Sequence, residues 1–135
     1  MRLIIATHAK FAEGIVSAAK LIGGEKMEIT YINSYVDGHD IKQDLKKALQ
    51  NEDLEYLVMT DLFGGSVNQE CMKYLKSRKM HLVAGVNLPF VLEALIKNST
   101  GCLDSNMLSE MIQESRKQLV LVNDFINQEV ADDFV

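Results

Sequence analysis

The chain has 135 residues, the size of one domain, and 47% of them are hydrophobic with a single proline, which supports a substantial core and excludes a largely disordered chain. A formal net charge of -5 argues against nucleic-acid binding, which needs a basic face, and no apolar stretch approaches the roughly 20 residues of a membrane span. Cys71 and Cys102 form no metal or redox motif and read as two reduced thiols of a cytoplasmic protein, and the N-terminus carries no signal-peptide pattern.

Leu3, Ile4, Ile5 and Ala6 make a short continuous apolar run, the mark of a strand covered on both faces. His8 ends that strand. Phe11, Ile15, Val16, Ala19 and Ile22 then repeat at helical spacing, and Gly23-Gly24 supplies a stop. Residues 27–32 read as a second strand; Met27, Ile29 and Tyr31 alternate with Glu28 and Thr30, which predicts an edge position. Asp37-Gly38 marks a turn, after which Ile41, Leu45, Ala48 and Leu49 mark a second helix with Lys42, Lys46 and Lys47 on a solvated face. Residues 56–60 are nearly all apolar and read as a central strand. Ser66 is placed to cap a third helix whose inner stripe is Val67, Cys71, Tyr74 and Leu75. Residues 80–84 read as a fourth strand. Asn87 is placed to cap a fourth helix with Pro89 in its first turn, where a missing N–H costs little. Met107, Leu108, Met111, Ile112 and Ser115 outline a fifth helix, and Leu119 to Val122 form a last short apolar run.

Strands alternating with helices over short connections imply an α/β fold, an open and mainly parallel sheet with helices on both faces. The pattern alone does not say which strand neighbours which. In the order 2-1-3-4, the first and third strands flank the switch point, and His8 and Asp61 project into one crevice. The carboxyl edge of such a sheet is where ligands bind.

Residues 60–66 read Thr-Asp-Leu-Phe-Gly-Gly-Ser. Gly64 and Gly65 lack Cβ atoms, so their backbone can approach a ligand closely, and Ser66 starts a helix whose first N–H groups lack internal partners. Beside His8, this arrangement suits phosphoryl transfer. A neutral imidazole nitrogen attacks phosphorus, and Asp61 holds the other ring nitrogen and stabilises developing positive charge. The glycine N–H groups and the Ser66 hydroxyl hold phosphoryl oxygens. No metal and no cofactor is required. Taken singly, each feature has an ordinary reading: an exposed histidine, a loop aspartate, a turn with a cap. Their coincidence at one sheet edge raises the functional reading above these. His39 and His81 have no metal-ligand pattern nearby; His39 reads as exposed.

The segments ATHAKFAEG (residues 6–14), TDLFGGSVNQ (60–69) and AGVNLP (84–89) resemble the three signature segments of the mannose-family enzyme IIA domain of the bacterial phosphoenolpyruvate:sugar phosphotransferase system (PTS). The resemblance covers residues 2–122. It implies a phosphohistidine carrier, with His8 phosphorylated by the phosphocarrier HPr and the group passed to the IIB component for sugar uptake. It makes Asp61 the partner of His8 and Ser66 a phosphate contact alongside Gly64 and Gly65. Thr7, Phe63, Val86, Asn87, Leu88 and Pro89 would line the site. It further implies a domain at residues 1–122, a homodimer in which a C-terminal strand (Leu119 to Val122) is exchanged, and a tail at residues 123–135. That tail reads as a solvated end or as the stub of a link to a IIB domain. The implied protein inserts into no membrane, and the resemblance leaves room for association with membrane IIC and IID components. This chain has Val67, Asn68 and Gln69 where the family often reads Pro-x-Asn, and Ala6 and Ala9 where it often has glycine.

Two other readings share the fold class. A receiver-like signalling domain would be phosphorylated on Asp61, but receivers need an acidic pair near the end of the first strand to hold Mg²⁺, and Thr7 and His8 stand there. The phosphocarrier subunit of a phosphoenolpyruvate-dependent dihydroxyacetone kinase would use a histidine in the same place. The Gly-Gly-Ser and Val-Asn-Leu-Pro segments favour the sugar system. No GxxxxGK[ST] or GxGxxG sequence supports a nucleotide-binding module.

Overall fold

The computed structural model describes residues 1–101 and 103–133. Cys102, read above as a reduced thiol, and the end of the 123–135 tail lie outside the described residues. The elements alternate as expected: β1 (Arg2–His8), α1 (Phe11–Gly23), β2 (Thr30–Ser34), α2 (Ile41–Ala48), β3 (Glu55–Thr60), α3 (Ser66–Met72), β4 (Lys79–Ala84), α4 (Leu88–Ser99), α5 (Ser105–Arg116) and α6 (Val122–Asp133). The four strands form one sheet in the order β2-β1-β3-β4, and every neighbouring pair is parallel. β1 and β3 are therefore adjacent, with Ala6 opposite Thr60 as their last paired residues.

Alternate residues of a strand face opposite sides of the sheet, so a strand buried on both sides must be apolar throughout. Leu3 and Ile5 of β1, with Leu57 and Met59 of β3, pack beneath Val16 and Ala19 of α1, Phe90 and Ala94 of α4 and Met111 of α5. On the other face, Ile4 and Ala6 join Tyr56 and Val58 beneath Leu45 of α2 and Val67 and Cys71 of α3. Helices thus cover both faces.

Several local expectations need correction. In α1 the inward positions are Ala12, Ile15, Val16 and Ala19, while Phe11 and Ile22 at the helix ends are exposed. Ala12 stands four and seven residues before Val16 and Ala19, so it takes the inward row and Phe11 is turned about 100° away. Strand β2 starts at Thr30, later than expected, because its ladder with β1 runs from Ile4 opposite Thr30 to His8 opposite Ser34. That register faces Ile32 and Ser34 inward and leaves Tyr31 exposed, the reverse of the expected alternation. Met27 and Ile29 still pack against the first core cluster from outside the ladder. In the stripe expected for the third helix, Val67 and Cys71 are buried, but α3 stops at Met72 and Leu75 is exposed beyond it.

The expected last strand is absent from the single chain. Leu119 to Leu121 have no regular structure, and Val122 begins α6, all of them exposed. A short apolar run does not by itself distinguish a strand from the entry to a helix. The apolar residues Phe125 and Ile126 follow on α6, itself exposed through residue 128. No described helix is long and apolar enough to cross a membrane.

Candidate functional site

Strand β1 carries Thr7 into the core and His8 to its carboxyl rim. The Thr7 side chain is buried; its Oγ1 accepts a 2.7 Å hydrogen bond from the Ala12 N–H and donates to the His8 carbonyl at 3.2 Å. Asn33 Oδ1 accepts from the Glu13 N–H at 3.2 Å. The Ala12 and Glu13 donors in the first turn of α1 are thus met by side chains from β1 and β2. Between β1 and α1 the chain turns through Ala9, whose φ is +48°, and the Ala9 N–H donates to the Ser34 carbonyl at 2.9 Å. These bonds fix the backbone on both sides of His8.

Asp61 is the first residue after β3, and the β1–β3 register sets it beside His8. Its Oδ2 accepts from the His8 backbone N–H at 2.9 Å and lies 2.9 Å from His8 Nδ1, while its Oδ1 accepts from the Leu62 N–H at 3.1 Å. A carboxylate is an acceptor, so Nδ1 carries a hydrogen, and in the neutral imidazole Nε2 then presents its lone pair. The histidine side chain is 38% exposed and the aspartate 15%. The imidazole is therefore partly open to solvent while its carboxylate partner is sheltered.

The loop after Asp61 passes beside the imidazole. Gly64 has φ +77°, which a residue with a Cβ rarely adopts. Its carbonyl accepts from Gln69 Nε2 at 2.8 Å, which ties the loop to α3. A Cβ on Gly65 would stand 3.1 Å from Leu62 Cβ and 3.5 Å from His8 Cε1. Gly65 is the N-cap of α3, in extended conformation, and no side chain caps the helix. The capping expected of Ser66 does not occur: Ser66 is the first helical residue, and its hydroxyl lies 3.3 Å from His8 Nε2 and 2.8 Å from the Tyr35 hydroxyl.

His8, Asp61, Gly65 and Ser66 therefore come together, and Thr7 sits directly behind them. Phe63 is 90% exposed on the loop. Val86 is buried and its N–H donates to the Thr60 carbonyl at 3.0 Å, joining the β4–α4 turn to the residue before Asp61. Asn87 caps α4 as expected, accepting from the Phe90 N–H at 3.0 Å, with Pro89 in the first turn. Among the described residues no hydrogen bond joins residues 86–89 to His8. In the segment that departs from the family pattern, Val67 is core, Asn68 Oδ1 accepts from the buried Thr60 hydroxyl at 2.9 Å, and Gln69 holds Gly64.

Tyr35 and Gln69 are the neighbours of the site that sequence reasoning missed. The available signal was Tyr35's place just after the strand beside β1, since all parallel strands deliver their carboxyl ends to one rim. A cleft of about 520 Å³ opens elsewhere, over β2 and the end of α2, lined among others by Arg2, Tyr31, His39, Lys47 and Tyr56. Neither His8 nor Asp61 lines it, and the exposed imidazole sits on an open rim. His39 is exposed, as expected, and lies 3.2 Å from Asp44. Among the described residues no group of three or more His, Cys, Asp or Glu could hold a metal ion.

Residues 2–112 match the family model EIIA-man, described as the PTS system fructose IIA component. The PTS system fructose-specific EIIA component of Bacillus subtilis (strain 168) is 28% identical, over 84% of this chain and 82% of that one. A crystal structure from Klebsiella pneumoniae, assigned to the phosphoenolpyruvate-dependent sugar phosphotransferase system as a permease, superposes with a TM-score of 0.82 at 28% identity and covers 93% of each chain. The PTS component EIIA of Streptococcus agalactiae superposes with a TM-score of 0.74 at 26% identity, over 91% of this chain and 98% of that one.

Proposed function

The chain belongs to the EIIA-man family of PTS components, and on that premise we propose that it is a cytoplasmic phosphohistidine carrier that takes a phosphoryl group from phospho-HPr onto His8 and passes it to a IIB component for sugar uptake. The observation that carries this reading is the double hold of Asp61 on His8, at 2.9 Å from both the backbone nitrogen and Nδ1, which turns Nε2 away from the carboxylate and toward the Ser66 hydroxyl.

In the proposed step the Nε2 lone pair attacks phosphorus as the N–P bond of the donor breaks, and the bonding pair returns to the donor's imidazole nitrogen. The Nδ1 hydrogen stays directed at Asp61, whose charge offsets the positive charge gained by the ring. The Gly64, Gly65 and Ser66 turn holds the phosphoryl oxygens, since catalysis of this transfer is mainly positioning and charge stabilisation. The open rim suits a donor and an acceptor that are themselves proteins. Thr7 supports the backbone at His8, and Phe63 and residues 86–89 border the docking face. Asp61 does not favour a phosphorylated-aspartate reading, because its Oδ2 is engaged twice by His8.

Incubation with phosphoenolpyruvate, enzyme I and HPr, followed by intact-mass analysis, tests the proposal. The wild-type chain gains one phosphoryl group, labile in acid and stable in alkali, and His8→Ala gains none. A His8→Ala chain labelled like the wild type, or a label lost in alkali, would overturn it. The proposal extends to a homodimer in which Leu119 to Val122 pair with another copy; these residues are exposed in the single chain. Sedimentation of the chain as a monomer at micromolar concentration would refute that extension.

A further inference from the structure

Tyr35 follows directly on β2, one residue past Ser34, the register partner of His8. Its backbone has φ +65°, a left-handed conformation uncommon for a bulky side chain. The residue is 63% exposed, so burial in the core does not explain its placement. Its hydroxyl lies 2.8 Å from Ser66 Oγ, and its ring centroid is 5.6 Å from that of His8, tilted by 33°.

Counting hydrogens sets the direction of this chain of contacts. In the neutral imidazole, the form that can attack, Nδ1–H of His8 is directed at Asp61, so Nε2 is an acceptor and the Ser66 hydroxyl 3.3 Å away supplies the hydrogen. Ser66 has one hydrogen and has used it. Its oxygen therefore accepts, and Tyr35 donates. A serine hydroxyl alone rotates freely; one whose oxygen accepts from a fixed phenol has fewer ways to point.

Resting on the reading of His8 as phosphoryl acceptor, we infer that Tyr35 is a positioning residue that aims the Ser66 hydroxyl at His8 Nε2 and then at the phosphoryl group bound there. Before transfer the order is Tyr35 O–H to Ser66 Oγ, and Ser66 O–H to Nε2. When the Nε2 lone pair becomes the N–P bond, the Ser66 hydrogen turns to a phosphoryl oxygen while Ser66 Oγ keeps accepting from Tyr35. No proton leaves either hydroxyl. The tyrosine thus holds the same donor in place for the free and the phosphorylated histidine.

The experiment is a double-mutant cycle on the full chain: single-turnover phosphorylation from phospho-HPr, and the hydrolytic half-life of the phosphorylated chain, for wild type, Tyr35→Phe, Ser66→Ala and the double variant, with His8→Ala as control. Tyr35→Phe keeps the ring and the Cβ and removes only the donor. Loss of one neutral hydrogen bond corresponds to about 3- to 10-fold slower transfer and a shorter half-life. Ser66→Ala costs at least as much, and adding Tyr35→Phe to it costs no more than about a further factor of two, because the phenol then has no hydroxyl to aim. Wild-type behaviour of Tyr35→Phe overturns the inference while an unlabelled His8→Ala leaves the acceptor assignment intact. An equal loss in the presence and absence of Ser66 overturns it too, since Tyr35 then acts by another route. A His8→Ala chain that still labels overturns both.

Discussion

One carboxylate oxygen of Asp61 serves two groups of His8, the backbone N–H and Nδ1, each at 2.9 Å. The first contact fixes where the residue is, and the second fixes the tautomer and the ring. Asp61→Asn retains the shape but removes the charge, and with its oxygen on the two His8 donors its NH2 faces the Leu62 N–H in place of an acceptor. Hydrogen bonds to charged groups are worth about 1.5–3 kcal/mol, which corresponds to about 10- to 150-fold in rate. Rapid-quench measurement of transfer from phospho-HPr to Asp61→Asn is expected to show a loss in that range. A variant as fast as the wild type would show that the aspartate is only a structural acceptor.

Gly64 and Gly65 are adjacent, yet their substitutions are expected to fail differently. A Cβ on Gly64 meets open space, but the backbone φ of +77° makes it unfavourable, so Gly64→Ala costs stability, about 1–2 kcal/mol. Gly65 has an ordinary φ of -67°, and its added Cβ presses on Leu62 at 3.1 Å, in the turn that contacts His8. A misplacement of 1 Å can cost about 100-fold, so a shift of a few tenths is expected to slow transfer about 3- to 10-fold with little change in stability. Urea midpoints and transfer rates measured side by side separate the two. The same pattern in both variants would contradict this account.

Thr7 stands behind the site as a buried cap. Thr7→Val preserves the β-branched shape and removes the acceptor that the Ala12 N–H reaches at 2.7 Å. A buried donor left without a partner costs about 1–3 kcal/mol, so the urea midpoint of Thr7→Val should fall accordingly. An unchanged midpoint would mean that this N–H finds water in the folded chain.

The continuous apolar runs of β1 and β3 made those strands legible, along with the polar residues, His8 and Asp61, that end them. The adjacency of β1 and β3 was not: periodicity does not encode strand order, and the order 2-1-3-4 entered the sequence reading as an assumption that the sheet bears out. Tyr35 stayed hidden because the boundaries of β2 follow its pairing with β1. Met27 and Ile29 carry strand-like alternation but pack outside the ladder. Ser66 read as a cap because serine before an apolar stripe has that role in most helices; here Gly65 occupies the cap and the hydroxyl is drawn to His8 and Tyr35. Leu119 to Val122 could be read as a strand because a few apolar residues carry no distinguishing period.

Cys71 gives a pH dependence with a definite sign. Burial above all, and the nearby charge of Glu70, push its thiol from an ordinary 9.0 up to about 12. Between those values the unfolded chain has released a proton that the folded chain keeps, so the folded state binds more protons and stability falls as pH rises. The contribution is fully present below pH 9.0 and is lost through the interval up to about 12. In a Cys102→Ser background, the urea midpoint is expected to drop more between pH 8 and pH 10 with Cys71 present than in Cys71→Ala. The same thiol should resist a disulfide reagent at pH 8 until urea unfolds the chain, since the reactive species is the thiolate. Equal alkaline losses in the two chains, or rapid labelling of the native protein, would show that Cys71 ionises as an accessible thiol.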